Sequence, residues 1–201
     1  MSLENYDVLV LCGGYGTRLH GMIPEGLPKC LADINGRPFL DYQLEYLARQ
    51  GFRRAILCTA YGSQDILFHL IPRKSPLLTL MSNEGSPKGT MVSIRTALAD
   101  EQLKIDKQFF VINGDTYCNT DLSLLIHNTR HQVVFGLSEL WKMTGAFFVS
   151  RGFDSDYRNI EDAIYHNPLL CTWRVVEEPF YDIGTPEGLT TFRAVASRLS
   201  L

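Results

Sequence analysis

The sequence predicts a three-layer α/β fold, a single domain over residues 1–201 with a mostly parallel central sheet. Short apolar runs alternate along the chain with segments of helical spacing, a pattern typical of a parallel sheet covered by helices. The first run, residues 7–12, is nearly all apolar, as expected of a central strand buried on both faces. A chain of 201 residues is long enough for one hydrophobic core, and no repeat or linker divides it.

The individual elements follow from the same patterns. Strands are predicted where short apolar runs end at turn residues: 7–12, 54–59, 77–81, 109–112, 133–137, 146–149 and 171–176. Helices are predicted over 40–50, 62–70, 89–99, 159–165 and 186–199. In the first helix Leu40, Leu44 and Leu47 recur at helical spacing, and Gly51 is a suitable C-terminal cap. Residues 13–29, rich in glycine and proline, are predicted to form a loop.

Composition excludes several classes of protein. The net charge is −3 and no basic cluster is present, which argues against a nucleic-acid binder. No apolar run approaches the ~20 residues that span a bilayer, and residues 1–7 contain no basic residue, unlike a signal peptide. The 5 cysteines are scattered and show no CxxC spacing, so we expect free thiols in a reducing cytoplasm, with neither disulfides nor a zinc site.

A glycine-rich segment, GGYGTRL at 13–19, directly follows the first strand. Glycines let backbone N–H groups approach phosphate oxygens closely, and the end of a strand is the usual ligand crevice of an open α/β sheet. A tight strand-to-helix turn is the alternative interpretation. A dinucleotide-binding loop is disfavoured because Leu19 stands where a third glycine is expected, and no Gly-Lys-Ser/Thr follows as in a P-loop.

Lys29 follows Arg18 by eleven residues and comes directly after Pro28. The proline favours an extended conformation in Leu27 and so helps to fix the direction in which Lys29 leaves the loop. An arginine and a lysine flanking a glycine loop suit a triphosphate, because one offers a planar fork of donors and the other a point charge. Taken alone, Lys29 would be interpreted as a solvated surface residue.

These residues resemble the signature of the sugar-phosphate nucleotidyltransferases, in which GGxGTRL is followed after a variable stretch by PK. Other motifs resemble that family's in the same order: SPKGT at 86–90 its Pro-Leu-Gly-Thr turn, NGDT at 113–116 its NGD motif, and DIGT at 182–185 its Asp-x-Gly-Thr motif. The overall pattern is most similar to the guanylyltransferases that activate heptose 1-phosphate for bacterial surface glycans. The resemblance implies a Rossmann-like nucleotidyltransferase fold.

The resemblance also implies a set of site residues. The catalytic residues would be Arg18, Lys29, Asp115 and Asp182. The nucleotide would be bound by Gly13, Gly14, Gly16, Thr17, Glu84 and Gly89. Asp115 and Asp182 follow apolar segments, so both are expected at strand ends over one crevice, where they would bind Mg²⁺ together with phosphate oxygens and water. Asp115 alone would also fit a turn former.

The reaction that follows from these roles is an in-line attack. A phosphate oxygen of the substrate attacks the α-phosphorus of the nucleoside triphosphate, and pyrophosphate leaves. Because a phosphate monoester is already ionised, no general base is required, and catalysis consists of positioning and electrostatic stabilisation. The histidines are dispersed and need no role.

Glu84 is the residue expected to select the base. It lies five residues before Gly89, where the family places a side chain that contacts the base. A carboxylate only accepts hydrogen bonds, so it pairs with the N1–H and N2 amine of guanine, or less well with the amine of cytosine. GTP is therefore the expected nucleotide and CTP the second choice. A solvated loop acid is the alternative interpretation of Glu84.

The resemblance fails where family members hold the sugar. The stretch between the NGD strand and the later Gly-x-Tyr/Phe strand is much shorter here, and the Glu-Lys-Pro motif is absent. Lys142 is the nearest substitute for the missing lysine, and Thr144 and Gly145 align with the Asn-Gly pair that faces the sugar. The predicted substrate-binding residues are therefore Lys142, Thr144 and Gly145.

Three hypotheses remain open from the sequence. The first is a Mg²⁺-dependent enzyme acting on a sugar 1-phosphate. The second is the same chemistry on a small non-sugar phosphate, such as cytidylyl transfer to a phosphorylated amino alcohol, which the short sugar-binding stretch favours. The third is a nucleotide-binding module without turnover. The expected partners are a nucleoside triphosphate and a small phosphorylated substrate, with no nucleic acid and no membrane. A homo-oligomer, with the site completed by a neighbouring subunit, is a further alternative.

Overall fold

The computed structural model describes residues 2–126, 132–138, 142–176 and 179–199. In chain order the strands are β1 (Asp7–Leu11), β2 (Asp33–Ile34), β3 (Arg37–Pro38), β4 (Arg54–Thr59), β5 (Leu78–Asn83), β6 (Gln108–Asn113), β7 (Thr116–Cys118), β8 (Val133–Ser138), β9 (Met143–Ser150), β10 (Cys171–Val176) and β11 (Phe180–Asp182). The α-helices are α1 (Phe39–Arg49), α2 (Ser63–Leu70), α3 (Thr90–Ala99), α4 (Ile160–His166) and α5 (Pro186–Ala196).

The central sheet has seven strands in the order β10-β8-β9-β6-β1-β4-β5. Its pairs are parallel except that β9 runs antiparallel to both β6 and β8, which confirms the predicted mostly parallel sheet. From β1 the chain moves outward to β4 and β5 and then returns to β6 on the other side of β1. The strand order thus reverses between β1 and β6, and open α/β sheets bind ligands outside the carboxyl ends of the strands at such a point.

Helices cover both faces of the sheet and give the predicted three layers. In β1, Val8 and Val10 face one hydrophobic core, to which α1 and α5 contribute, whereas Leu9 and Leu11 face a second core with α3 and α4. Every residue of β1 is buried. The nearly continuous apolar run at the start of the sequence therefore reflects a strand covered on both faces.

Several predicted boundaries change in the structure. The strand predicted over 146–149 extends over Met143–Ser150, because it pairs with neighbours on both sides. Gly62 and Gly89 cap α2 and α3 at the N-terminus and are not their first residues, and the last helix ends at Ala196. Two small antiparallel ribbons, β2–β3 and β7–β11, escaped the sequence analysis because strands of two or three residues are too short to show a period.

The predicted loop over 13–29 also contains short 3₁₀ turns at Thr17–Leu19 and Lys29–Leu31. All five cysteines are free, as the sequence predicted, and the structure shows that each is also buried. Within the residues described, none of the helices combines the length and apolar character that crossing a bilayer requires.

Candidate active site

The candidate site lies where the ends of β1 and β6 meet. The loop of residues 13–29 follows β1, and the turn Asn113-Gly114-Asp115-Thr116, here the NGD turn, follows β6. The Gly114 N–H donates to the Leu11 carbonyl at 3.1 Å. A Cβ placed on Gly114 would lie only 2.5 Å from that oxygen, so glycine allows the turn to pack directly on the end of β1. This contact brings Asp115 to the glycine loop.

The Lys29 side chain lies against the backbone of the glycine loop. A Cβ placed on Gly14 would lie 3.6 Å from Lys29 Nζ, and one placed on Gly16 would lie 3.1 Å from Lys29 Cβ. Gly16 also has φ of 66°, a left-handed conformation that favours glycine. Pro28, with φ of −64° and ψ of 138°, caps the 3₁₀ turn that begins at Lys29. The Lys29 ammonium group therefore lies beside Gly14 of the loop.

Lys29 and Asp115 form an ion pair in which Lys29 Nζ donates to Asp115 Oδ2. The two side chains are 16% and 12% exposed, so the pair is screened less than a surface pair. The Thr116 hydroxyl also lies 3.4 Å from Asp115 Oδ1. One residue proposed for phosphate binding and one proposed for metal binding thus contact each other directly.

Asp182 reaches the site by a different route from the one expected. It ends a strand, but that strand is β11 of the small ribbon and not a strand of the central sheet. In the ribbon Asp182 pairs with Thr116, the residue next to Asp115. The Ile183 N–H then donates to the Asp115 carbonyl at 2.8 Å. Antiparallel pairing therefore places the two carboxylates side by side although 67 positions separate them in the sequence (182 − 115).

Gly184 marks the point on which three charged groups converge. A Cβ placed there would lie 2.7 Å from Asp115 Oδ2, 2.8 Å from Asp182 Oδ1 and 3.1 Å from Arg18 Nη2. The Gly184 N–H itself donates to Asp182 Oδ1 at 2.7 Å. The structure thus brings together Arg18, Lys29, Asp115 and Asp182, the four residues predicted to be catalytic.

A cavity of about 190 Å³ opens beside this cluster. It is lined by Leu11, Gly13, Gly14, Lys29, Glu84, Pro87, Gly89, Thr90, Ser93, Asn113, Asp115 and Asn159. The cavity therefore joins the glycine loop and the NGD turn to Glu84 and Gly89 on the far side of β1. Gly16 and Thr17 line instead a separate cavity of about 410 Å³, with Tyr15 and Tyr61.

Glu84 and Gly89, two of the residues predicted to bind the nucleotide, both line this cavity. Glu84 Oε1 accepts from the Lys88 N–H at 3.3 Å, while the buried Oε2 has no hydrogen-bond partner among the residues described. Gly89 has φ of 121°, and a Cβ there would lie 2.4 Å from the Arg158 carbonyl. That carbonyl accepts from the Met91 N–H at 2.9 Å. Glycine is thus required where the segment before α4 crosses the start of α3.

Of the three residues predicted to bind the acceptor, Gly145 lies against the NGD turn, Thr144 is buried and Lys142 is exposed. Gly145, with φ of 71°, lies against the NGD turn: a Cβ there would be 3.0 Å from Asn113 Nδ2 and 3.1 Å from Thr116 Oγ1. Thr144 is 1% exposed and its carbonyl accepts from the Cys118 thiol at 3.1 Å.

Lys142 is exposed, and its N–H donates to the Ser138 hydroxyl at 3.2 Å. Neither Lys142 nor Thr144 lines the cavity beside Asp115. Residues 139–141, including Trp141, lie outside the described residues. The acceptor-binding roles of Lys142, Thr144 and Gly145 stay predictions.

Polar side chains from α4 and its approach also reach the cavity, and the sequence analysis missed them. Asn113 Nδ2 donates to Glu161 Oε1 at 3.2 Å, and Asn159 lines the cavity just before α4. The Ile160 N–H donates to the Thr90 hydroxyl at 2.8 Å, which ties α4 to α3. Among these residues, only Asn113 lies in a motif that the sequence revealed. Its contact with α4 could not be predicted, because nothing in the order of the residues links the two.

The donor set of the cluster suits a hard divalent cation. Among the described residues, no group of three or more His, Cys, Asp or Glu side chains is arranged to hold a metal ion. Asp115 and Asp182 approach the same point at Gly184, and Mg²⁺ takes one or two carboxylates and completes its shell with phosphate oxygens and water. A structural zinc site, which needs four protein ligands, does not fit.

Comparison with known proteins connects this geometry to a family. Residues 8–139 match the family model described as MobA-like NTP transferase domain, a range that includes the glycine loop, Lys29 and Asp115. The chain is similar to a D-glycero-α-D-manno-heptose 1-phosphate guanylyltransferase of Campylobacter jejuni, with 38% identity over 120 residues, which is 59% of this chain and 52% of that protein. The chain thus spans about half the length of the curated relatives it matches.

Solved structures match over nearly the whole chain. The crystal structure of HddC from Yersinia pseudotuberculosis is 26% identical, with a TM-score of 0.77, and the match covers 94% of this chain and 98% of that one. HddC complexed with GMP-PN gives a TM-score of 0.76 at 26% identity, with 92% and 97% covered.

Proposed function

This chain belongs to the MobA-like NTP transferase family, and we propose that it transfers a guanylyl group from GTP to a sugar 1-phosphate and releases pyrophosphate. The observation that carries the proposal is the convergence of Arg18, Asp115 and Asp182 on Gly184, with Lys29 paired to Asp115. The cluster lies at the carboxyl ends of β1 and β6, beside a cavity lined by the glycine loop. Two cations and two carboxylates in one cluster suit a triphosphate with a divalent cation.

The glycine loop would hold the triphosphate. Gly13 and Gly14 line the cavity, and without side chains they leave their N–H groups free to approach phosphate oxygens. The Arg18 guanidinium and the Lys29 ammonium would place positive charge where negative charge develops on the departing pyrophosphate. Such preorganised charge stabilises a transition state because it needs no rearrangement when the reaction occurs.

Asp115 and Asp182 would hold the Mg²⁺. When bound, the ion would supply charge neutralisation on the phosphate oxygens. The Gly184 N–H donates to Asp182, and the Ile183 N–H donates to the Asp115 carbonyl. These bonds hold both carboxylates in place, and the lack of a side chain at Gly184 leaves space between them and Arg18.

In the reaction itself one P–O bond forms and one breaks. A phosphate oxygen of the sugar 1-phosphate attacks the α-phosphorus of GTP, and the bond from that phosphorus to the β-phosphate oxygen breaks. The attacking oxygen is already ionised at neutral pH, so the chain needs no general base. What its residues contribute is the orientation of two like-charged substrates.

Glu84 would select guanine. Its buried Oε2 has no partner among the described residues, so an incoming N–H donor would satisfy it. A guanine edge offers two adjacent donors, N1–H and the N2 amine, whereas uracil and thymine offer a single N–H, at N3, flanked by two carbonyls. The guanylyltransferases among the relatives support this choice of base.

The acceptor would be a heptose or related hexose 1-phosphate. The relatives named as heptose 1-phosphate and mannose-1-phosphate guanylyltransferases support it, as does the position of Gly145 against the NGD turn. The product would be a GDP-sugar, serving in the cytoplasm as a donor for surface polysaccharide. The buried, unpaired thiols agree with a reducing compartment.

The test is pyrophosphate release in the presence of Mg²⁺, with each of four nucleoside triphosphates against a panel of sugar 1-phosphates and small phosphomonoesters. We expect release with GTP and a heptose or mannose 1-phosphate, and none after addition of a chelator. Release only with a non-sugar phosphate would contradict the acceptor. Nucleotide binding with no release across the whole panel would contradict the proposed turnover.

A further inference from the structure

Side chains at helix α1 form hydrogen bonds with the backbone of the chain segment that follows β6. Gln43, Tyr46 and Gln50 are spaced so that they lie on one side of the helix. The Tyr46 hydroxyl donates to the Thr120 carbonyl at 2.7 Å, and Gln50 Oε1 accepts from the Leu122 N–H at 3.0 Å. The helix thus fixes the course of this segment through side-chain contacts with its backbone.

Gln43 makes the contacts closest to the candidate site. Its side-chain amide donates to the Asn113 carbonyl at 2.9 Å and to the Thr116 carbonyl at 2.7 Å. These two carbonyls stand at the first and last residues of the NGD turn, on either side of Asp115. Because an amide nitrogen has two hydrogens, Gln43 uses its full donor capacity to join the two ends of the turn.

Gln43 is only 2% exposed, and its Oε1 is buried without a hydrogen-bond partner among the described residues. An unsatisfied buried acceptor destabilises the folded state, whereas an apolar side chain of similar shape would fill the same space without this cost. The two donated hydrogen bonds are what the glutamine adds. They act on the backbone of the turn that presents Asp115, which is part of the candidate site.

We propose that Gln43 is a positioning residue for the metal-binding carboxylate: its amide bridges the Asn113 and Thr116 carbonyls and thereby fixes the direction in which Asp115 faces Asp182. This inference rests on the proposed function, since it assigns Asp115 to the metal. Gln43 does not line the cavity beside Asp115. Its effect passes through the backbone of the turn, in the way that outer-shell partners orient metal ligands.

The substitution Gln43→Met tests the proposal, because methionine keeps the length of the side chain and removes both donors. Gln50→Met is the matched control: it makes the same change at the residue that caps the same helix and removes one side-chain contact with the backbone, away from Asp115. Three quantities are measured for both variants and the wild type. They are Mn²⁺ affinity without nucleotide, by electron paramagnetic resonance; the kcat and KM for pyrophosphate release; and hydrogen exchange of the Ile183 amide.

We expect Gln43→Met to weaken Mn²⁺ binding and lower kcat by about 10-fold or more, as losses of outer-shell partners do, with KM for GTP little changed. The Ile183 amide, which donates to Asp115, should exchange faster, while amides of β1 keep their protection. Gln50→Met should change none of these, at a thermal stability similar to that of Gln43→Met.

Equal Mn²⁺ affinity, kcat and Ile183 exchange in Gln43→Met and the wild type would overturn the proposal and leave the proposed function standing. Equal losses in both variants would also overturn it, by showing a general effect of loosening α1. A wild-type protein that neither binds Mn²⁺ nor releases pyrophosphate would refute the proposed function itself, and the role of Gln43 with it.

Discussion

Lys29 donates to Asp115, so the lysine proposed to bind phosphate neutralises the carboxylate proposed to bind metal. The same carboxylate oxygen lies 2.7 Å from the Cβ position of Gly184, where Asp182 and Arg18 also approach. In this arrangement a cation at Asp115 competes with the ammonium group. A triphosphate would relieve the competition by giving Lys29 another anionic partner.

Replacing Lys29 by methionine should therefore change metal and nucleotide affinity in opposite directions. Without nucleotide, Mn²⁺ should bind Lys29→Met about fivefold more tightly, equivalent to about 1 kcal/mol, because the competing charge is gone. GTP should bind about 10-fold more weakly, since a charge-assisted contact is lost. Titration calorimetry measures both affinities, with the exposed Lys74→Met as the control. Weaker Mn²⁺ binding in Lys29→Met would contradict the competition.

Asp115→Asn and Asp182→Asn should each abolish turnover without unfolding the protein. An amide oxygen is a weaker ligand than a carboxylate for a hard cation, so the loss should exceed the ~10- to 100-fold typical of outer-shell partners. Steady-state pyrophosphate release measures the loss, circular dichroism checks the fold, and the exposed Asp156→Asn serves as the control. Wild-type turnover in either variant would refute the metal assignment.

Gly184→Ala should inactivate the protein by steric means alone. The added methyl would lie 2.7 to 3.1 Å from Asp115, Asp182 and Arg18, so at least one of these groups must move. We expect a fall in kcat of at least about 10-fold and weaker Mn²⁺ binding, with a near-native unfolding midpoint. Gly152→Ala is the matched control, because a Cβ there meets nothing within 4 Å. Full activity of Gly184→Ala would contradict a role in the reaction for the space between Asp115, Asp182 and Arg18.

Glu84→Gln should reduce the preference for GTP. Glutamine keeps the shape of the side chain but turns one acceptor into a donor. That donor cannot form a hydrogen bond with the N1–H or the N2 amine of guanine, which are donors themselves. Selectivity for GTP over UTP and CTP, measured as ratios of kcat/KM, should fall by about 10-fold. The exposed Glu101→Gln should leave these ratios unchanged. If the ratios are the same before and after the Glu84 substitution, this carboxylate does not select the base.

The thiols should be unreactive in the folded protein. Burial raises the pKa of Cys58 and of Cys118 to about 12. A hydrogen bond with Cys30, together with burial, raises the pKa of Cys12 well above its ordinary value. Because the thiolate is the reactive form, Ellman's reagent at about pH 8 should react slowly with the native protein and with all 5 cysteines after unfolding.

The same raised pKa values set the direction of a pH effect. In the unfolded chain the thiols of Cys12, Cys58 and Cys118 lose protons near pH 8.5, at a lower pH than in the folded protein. The free energy of unfolding should thus be constant from about pH 7 to pH 8 and fall as the pH rises above about 8.5. Guanidinium titrations under reducing conditions measure this free energy of unfolding at each pH.

In the labelling experiment with Ellman's reagent, rapid reaction of all five thiols in the native protein would contradict their burial.

The sequence by itself determined the layers of the fold and the chemical types of the site residues. Strands such as β4 and β10 were predicted with their observed bounds, because short, mainly apolar runs between turn signals leave little choice of structure. Arg18 and Asp115 lie in motifs directly after buried strands, and Lys29 ends the loop that follows β1. Parallel strands bring their carboxyl ends to one edge, so their meeting followed from the order of the elements.

Tertiary structure alone decided how Asp182 and Gln43 join the site. Asp182 arrives on a ribbon of three-residue strands, too short to show a period, through its pairing with Thr116. The sequence analysis assigned no role to Gln43, and only the packing of α1 brings its amide to the Asn113 and Thr116 carbonyls. Local patterns predict which elements form, because spacing along the chain governs burial. Contacts between distant backbone groups depend on how those elements pack, which the spacing does not encode.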